Sequence, residues 1–245
     1  MRSFGLVLLL VVAAALPFSG QADDGLSTED VLAAFDQAAL GPADREGAQL
    51  YRWQKDVSVR FVGQTTSRQQ AWAEAQLAEF EAATGQTVQR IDSIGADVLV
   101  VFVASFDDVL DGQYNDLLDR FALNDARRDQ LLEGYRQSEA VCAGQINARG
   151  NGLSGGIVFI PTDQLSPVVH ACIAAQMSRV MGLPFAVDAN VRSALASDSP
   201  HSHLTRLDRV MLRLLYDPRM KSGMSRRNAL TIARSVLPSV MGQVQ

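Results

Sequence analysis

The segment from Ser166 to Pro184 carries the start and stop signals of one helix, around which the rest of the chain must be arranged. Ser166 can accept a hydrogen bond from the first turn, and Pro167 suits the first helical position, where no amide donor is needed. Gly182 can adopt the left-handed conformation that ends a helix, and Pro184 prevents the helix from resuming. The sequence therefore predicts a single central helix with both ends marked.

Two polar residues interrupt the apolar arc of this helix. At roughly 100° per residue, the arc contains Val168, Val169, Cys172, Ile173, Met177, Val180 and Met181, while Ala171, Ala174 and Ser178 lie opposite. Gln176 falls beside Cys172, and Arg179 falls between Val168 and Cys172. Because buried polar groups cost free energy unless they find partners, Gln176 and Arg179 are predicted to face a cleft or specific partners.

The helix resembles the active helix of zincin metallopeptidases, which carries His-Glu-x-x-His-x-x-Gly and ends at the glycine. Aligning that glycine with Gly182 places the first histidine at Ala175, the glutamate at Gln176 and the second histidine at Arg179. Ala175 has no ligand atom, Gln176 cannot act as a general base, and Arg179 would repel a zinc ion. The third ligand of the longer motif would fall at Phe185, which cannot bind metal. The resemblance implies degenerate cleft positions, with no catalytic residue and no metal.

The sequence is also similar to a bacterial family, domain-of-unknown-function family 2927, which resembles zincins in fold and usually carries Glu-Glu-x-x-Gln at the motif. The matching pieces are Leu50–Trp53, Thr84-Gly85, Cys142, Cys172-Ile173, Gly182-Leu183, Leu204–Asp208 and Leu214–Met224. This chain departs from the family at Ala175, Gln176 and Arg179. The resemblance implies an α+β fold: a zincin-like single domain, with a small mixed sheet packed on the central helix and a helical C-terminal half.

The N-terminal stretch has the pattern of a signal peptide. Arg2 precedes an almost wholly apolar run from Leu6 to Leu16, and Gly20 and Ala22 form a small-x-small cleavage site. The run is too short to span a bilayer comfortably, and a buried N-terminal helix is the alternative interpretation. We expect a signal peptide over residues 1–22 that is cleaved after Ala22, a single domain over 23–245, and a periplasmic or secreted mature chain.

The net charge and the two cysteines narrow the possible binding partners and the predicted covalent structure of the chain. The formal net charge is −5 at pH 7, and no basic patch stands out, so nucleic acid is not an expected partner. No second apolar run is long enough for a membrane span in the mature chain. The two cysteines, Cys142 and Cys172, are an even number in a chain expected to be exported, which favours a disulfide over two free buried thiols.

Hydrophobic periodicity predicts the elements that surround the central helix. Helices are predicted at Leu26–Ala39, Ser67–Ala83, most of Phe106–Gln137, Leu204–Tyr216 and Ser225–Met241, and strands within Leu50–Val62 and at Val88–Ile91, Ala96–Ala104 and Ile157–Ile160. The glycine-rich segment 144–156 is interpreted as a flexible hairpin tip, because it lacks the lysine and the following helix of a phosphate-binding loop. The zincin resemblance implies that the strand at Ile157–Ile160 borders the cleft and pairs with extended substrate.

Three functions remain open from the sequence. The favoured one is a non-catalytic domain, without cofactor, that binds a peptide, a cell-wall fragment or a partner protein in the cleft that corresponds to the peptidase active site of zincins. The second is an active metallopeptidase with unconventional ligands, for which His170, His201 and His203 would have to converge. The third is another hydrolase with Ser193, one of the last two histidines and an aspartate as a triad, although Ser193 does not lie in a Gly-x-Ser-x-Gly elbow.

Arg179 carries a further expectation, because a buried guanidinium must pair with a carboxylate or with several carbonyls. The candidate acids are Asp188, just after the helix, and Asp208, on the following predicted helix. We expect one of them to bind Arg179 and so to replace the metal as the tie between the central helix and the C-terminal half. Loss of the arginine would then cost about 3–5 kcal/mol by leaving the acid unpaired.

Overall fold

The computed structural model describes residues 25–120 and 125–244, and the predicted signal peptide at residues 1–22 lies outside them. The helices are α1 (Thr28–Leu40), α2 (Ser67–Thr84), α3 (Phe106–Leu110), α4 (Asn115–Arg120), α5 (Asp125–Gln137), α6 (Pro167–Val180), α7 (Arg206–Leu215) and α8 (Arg226–Met241). The strands are β1 (Val57–Val62), β2 (Val88–Arg90), β3 (Val98–Val103), β4 (Ala143–Arg149) and β5 (Gly152–Pro161). None of the helices in the described part is long and apolar enough to cross a membrane.

The five strands form one mixed sheet in the order β2-β1-β3-β5-β4, which confirms the predicted α+β class. The first four strands of that order are parallel, and β4 runs antiparallel to β5 at the edge. The continuous apolar run of β3 is explained by its place between β1 and β5, where both sides of the strand are paired and its residues are largely buried.

The placement of the strand at Ile157–Ile160 beside the cleft is wrong. These residues belong to the longer β5, which lies between β3 and β4. The open edge of the sheet is therefore formed by β4 and not by β5. The segment 144–156 is also not a flexible tip, since most of it forms β4 and the start of β5. Its glycines permit close packing: a Cβ added at Gly144 would lie 3.0 Å from the Gln176 side chain, and one at Gly156 would lie 3.3 Å from that of Val180.

Helix α6 begins and ends where the sequence predicts. The hydroxyl of Ser166 accepts a hydrogen bond from the amide of Val169 at 3.2 Å, and Pro167 occupies the first helical position. Gly182 follows the last turn with a φ of 113°, a conformation that L side chains rarely adopt. A Cβ added there would also lie 2.8 Å from the Leu215 side chain on α7. Both the backbone conformation and the lack of space therefore favour glycine at this position.

The predicted faces of α6 are partly wrong, because the helix is buried on more than one side. Ala171, Ala174 and Ser178, predicted to lie opposite the core, are buried. Ser178 faces the side on which α2 packs against α6. Val168, at the start of the predicted apolar arc, is 61% exposed. A helix held between a sheet and a second helix therefore shows less amphipathic contrast than a surface helix.

A disulfide and a set of contacts from one arginine hold the elements on either side of the open sheet edge. Cys142 and Cys172 lie at bonding distance and join the residue before β4 to α6, which confirms the predicted disulfide. On the other side, Arg226 at the start of α8 lies 2.9 Å from the Asp36 carboxylate and donates to the carbonyls of Leu40, Gly41 and Pro42. These contacts anchor the loop that follows α1 against α8.

Replacing both cysteines, as Cys142→Ala with Cys172→Ala, is expected to lower the free energy of unfolding by about 3–4 kcal/mol, because a loop of this length gains that much chain entropy when it is opened. Urea unfolding of the wild type and the double variant measures the difference. Reductant should shift the wild-type midpoint towards that of the variant and leave the variant unchanged. An unchanged wild-type midpoint would contradict the prediction.

Candidate functional site

A cavity of about 350 Å³ opens where the C-terminal half of α6 meets β4 and the loop after α1. Its described lining residues are Ala39, Arg45, Gln49, Tyr51, Gly144, Gln145, Ile146, Ala148, Leu153, Arg179, Pro184 and Phe185. Of the three positions aligned with the zincin motif, Arg179 lines the cavity. Gln176 is buried behind it, and Ala175 is half-buried and does not line the cavity.

A second cavity, of about 540 Å³, runs along β4 on the side of α5. Its described lining residues are Arg45, Gln130, Leu131, Gln145, Ile146, Asn147 and Ala148. Arg45, Gln145, Ile146 and Ala148 line both cavities, so the two form one continuous depression. We call it the β4 groove; its lining residues are those given for the two cavities.

Gln176 sits directly beneath β4. Its side chain is 7% exposed, and its amide oxygen lies where a Cβ at Gly144 would almost touch it. The same oxygen accepts a weak hydrogen bond from Nη1 of Arg179 at 3.4 Å. Gln176 therefore orients Arg179 towards the groove without neutralising its charge, since an amide is uncharged.

The expected pairing of Arg179 with Asp188 or Asp208 is wrong. The carboxylate of Asp188 accepts from the Gln37 amide at 3.3 Å. Asp208 is fully buried and serves the cap of α7, where Thr205 donates to it through both its amide and its hydroxyl at 2.8 Å. Its other donors are the hydroxyl of Ser193 and the amide of Ala194. Asp208 is not available to Arg179 because the residues that cap α7 already donate hydrogen bonds to its carboxylate.

Arg179 is instead a cation without a carboxylate among the described residues. Its Nε is buried and has no hydrogen-bond partner. Burial lowers the pKa of Arg179, and the neighbouring Tyr135 offsets part of that effect. Burial also raises the pKa of Tyr135, whose hydroxyl donates to the carbonyl of Gly144 at 3.4 Å. Because guanidinium stays protonated in proteins, Arg179 presents an uncompensated positive charge to the groove.

Arg45 supplies a second positive charge, and sequence reasoning missed it. Its guanidinium lies 4.8 Å from the centre of the Phe185 ring and donates to the carbonyl of Leu40 at 3.3 Å. The neighbours Asp44 and Glu46 are exposed, and no acidic residue is found among the described residues that line the groove. The groove is thus locally basic in a chain of net charge −5. Arg45 and Arg179 share no sequence pattern; only the fold brings them together.

The residues considered for a hydrolase triad do not assemble. Ser193 and Asp208 are hydrogen-bonded to each other, but both are fully buried, and neither is bonded to a histidine in the part of the chain that the structure describes. The hydroxyl of Ser193 also accepts from the amide of Leu195 at 3.0 Å. The pair therefore closes a loop against the start of α7.

The residues considered as unconventional metal ligands converge only in part. The rings of His170 and His203 lie 5.4 Å apart, and Nδ1 of His203 lies 2.5 Å from the Glu79 carboxylate. His170 stacks on Trp72 at 4.2 Å, and His201 makes none of these contacts. Among the described residues no group of three or more histidines, cysteines or acids is placed to hold a metal ion. The cluster also lies about 13 Å along α6 from Arg179.

Comparison with known proteins identifies the family of the chain. A family model described as "Protein of unknown function (DUF2927)" matches residues 29–235, which include both cysteines and all the described lining residues of the β4 groove. No curated protein matches the sequence.

Replacing the unpaired arginine, as Arg179→Met, is expected to raise the free energy of unfolding by about 1 kcal/mol, because the apolar stem is kept and a poorly solvated charge is removed. Arg226→Met is the matched control, since that arginine has a carboxylate and three carbonyls; it should lose about 2 kcal/mol. Thermal or urea unfolding measures both. A loss of several kcal/mol in Arg179→Met would contradict the absence of a carboxylate partner.

The stability of the fold is expected to decrease as the pH falls below about 6.5, the ordinary pKa of histidine. Burial and the neighbouring His203 lower the pKa of His170, and Glu79 opposes them. The unfolded chain therefore binds more protons between the lowered and the ordinary pKa, and folding loses free energy there.

His170→Phe keeps a ring against Trp72 and removes this titration. Between pH 7.5 and 5.5, the free energy of unfolding of this variant should fall by less than that of the wild type. The difference between the two should be below about 1 kcal/mol, because the ring is only partly buried. His201→Gln is the control and should behave as the wild type. Equal pH dependence in the wild type and His170→Phe would rule out the effect.

Proposed function

The chain belongs to the DUF2927 family of proteins of unknown function, and we propose that it is an exported, non-catalytic, zincin-like domain that binds an extended peptide along the β4 groove. The observation that carries the proposal is an open antiparallel edge strand that forms one wall of a groove next to the central helix.

The edge strand supplies the means of binding. An edge strand has backbone donors and acceptors that no neighbouring strand uses, and an added peptide strand can pair with them. Five successive residues of β4, from Gly144 to Ala148, line the groove, and no described strand lies beyond β4. In the zincin resemblance, the strand beside the cleft pairs with extended substrate, and the proposal assigns that role to β4.

The lining of the groove favours binding over hydrolysis. Its described residues include no serine, cysteine, histidine, aspartate or glutamate. Apart from the hydroxyl of Tyr51, the residue types that commonly act as nucleophile or general base in peptide hydrolysis are therefore lacking among them, as are the usual ligands of a catalytic zinc. Gln176, aligned with the general base of zincins, is covered by β4. The disulfide supports export, since such bonds persist in oxidising compartments.

Selection from a phage-displayed library of random dodecapeptides tests this function with the purified protein. Peptides that bind the wild type should lose at least about 10-fold in affinity on Ala148→Trp, which would fill the groove at an exposed lining residue. Methylating alternate backbone nitrogens of such a peptide should weaken binding as well, because strand addition uses those N–H groups.

Ser154→Trp is the matched control, since Ser154 is exposed on β5 and does not line the groove. It should leave peptide affinity unchanged. If no peptide is enriched, or if the enriched peptides bind Ala148→Trp as tightly as the wild type, the proposed function is wrong.

A further inference from the structure

We infer that Arg179, together with Arg45, binds a carboxylate of the peptide, so that the β4 groove selects ligands by a negative charge as well as by extended backbone. This inference rests on the proposed function and adds to it the chemical class of the ligand. The carboxylate has two possible sources, the C-terminus of the peptide and an aspartate or glutamate side chain.

The first argument is the state of Arg179 itself. Arg179 is half-buried, and a guanidinium that is partly withdrawn from water costs free energy unless a negative charge or several acceptors compensate it. In the described part of the chain, Arg179 has one long hydrogen bond, to Gln176 at 3.4 Å, and its buried Nε has no acceptor. The fold therefore keeps a poorly solvated cation beside an open cavity, where an incoming anion can offset its cost.

The second argument is the chemistry of the surrounding wall. Arg45 lines both cavities, and no acidic residue is found among the described lining residues. No carboxylate among the described lining residues competes with a ligand for the two cations. Guanidinium presents a planar fork of donors that matches the two oxygens of a carboxylate, and such charge-assisted bonds are stronger than neutral ones. The groove is thus complementary to a carboxylate and unfavourable to a cationic ligand.

The third argument is the position of the charge within the groove. Arg179 lines the 350 Å³ cavity, where Ile146, Leu153 and Phe185 supply apolar surface. The second cavity along β4 shares Arg45 with the first, and its other described lining residues are uncharged: Gln130, Leu131, Gln145, Ile146, Asn147 and Ala148. A peptide that pairs with β4 would therefore place one acidic group, either a side chain or its chain end, into the inner cavity while its backbone follows the strand.

Three pools of random decapeptides test the inference, each built from uncharged residues and carrying a neutral N-terminal label. The first pool has a free C-terminus, the second is amidated and contains one glutamate, and the third is amidated without any acid. Fluorescence anisotropy measures their affinity for the purified protein. We expect the first or the second pool to bind about 10- to 100-fold more tightly than the third, and the tighter pool identifies the source of the carboxylate.

Variants at Arg179 connect the preference to this residue. Arg179→Gln should lose most of the preference, because only Arg45 then remains to bind the carboxylate, whereas Arg179→Lys, which keeps the charge and loses the fork, should retain a larger part of it. Arg227→Gln is the matched control, because Arg227 is exposed on α8 outside the groove, and it should retain the full preference. Thermal unfolding of each variant verifies that it is folded.

The outcomes separate the inference from the function on which it rests. If the three pools bind equally and Ala148→Trp weakens all of them, peptide binding stands and the carboxylate is excluded. If a folded Arg179→Gln retains the wild-type preference, Arg179 does not bind the anion and the inference is wrong. If no pool binds at all, the proposed peptide function fails as well.

Discussion

The structure depends on the close approach of the edge strand β4 to the central helix α6. Gly144 lies against the side chain of Gln176, Gly156 of the neighbouring strand lies against Val180, and the disulfide between Cys142 and Cys172 joins the two elements. A larger side chain at Gly144 would move the strand off the helix and change the cavity that contains Arg179. The position of the open sheet edge, and with it the shape of the β4 groove, is therefore set by the packing of two glycines.

The ends of elements could be predicted from the sequence because their signals are local. Ser166, Pro167 and Gly182 mark α6 within one turn of each end, and the structure uses all three as predicted. The cysteine pair was predictable for a different reason, since the two cysteines of a chain that was expected to be exported have one possible partner each. Neither argument required knowledge of the order of strands in the sheet.

The arrangement of the site could not be predicted, because it depends on contacts between distant residues. The glycines of 144–156 suggested flexibility, whereas their lack of a side chain serves tight packing, and the difference appears only when α6 is placed beneath them. The partner of Arg179 could not be predicted either: Asp208 lies on the next helix along the chain but is held by the α7 cap. Arg45 is remote in sequence and lines the same cavity.

Under the proposed function, the residues at the positions aligned with the zincin motif suit an anion site in place of a metal site. In that alignment Arg179 stands at a ligand position, and its side chain lines the inner cavity. A guanidinium there restores a positive charge without a metal, and Gln176 supports it as a neutral acceptor at 3.4 Å. The preferred ligand is then a carboxylate instead of a polarised peptide carbonyl, because a guanidinium binds the two oxygens of a carboxylate through two parallel hydrogen bonds. The change from cleavage to recognition, under the proposed function, follows from exchanging one kind of cation for another at a fixed position on α6.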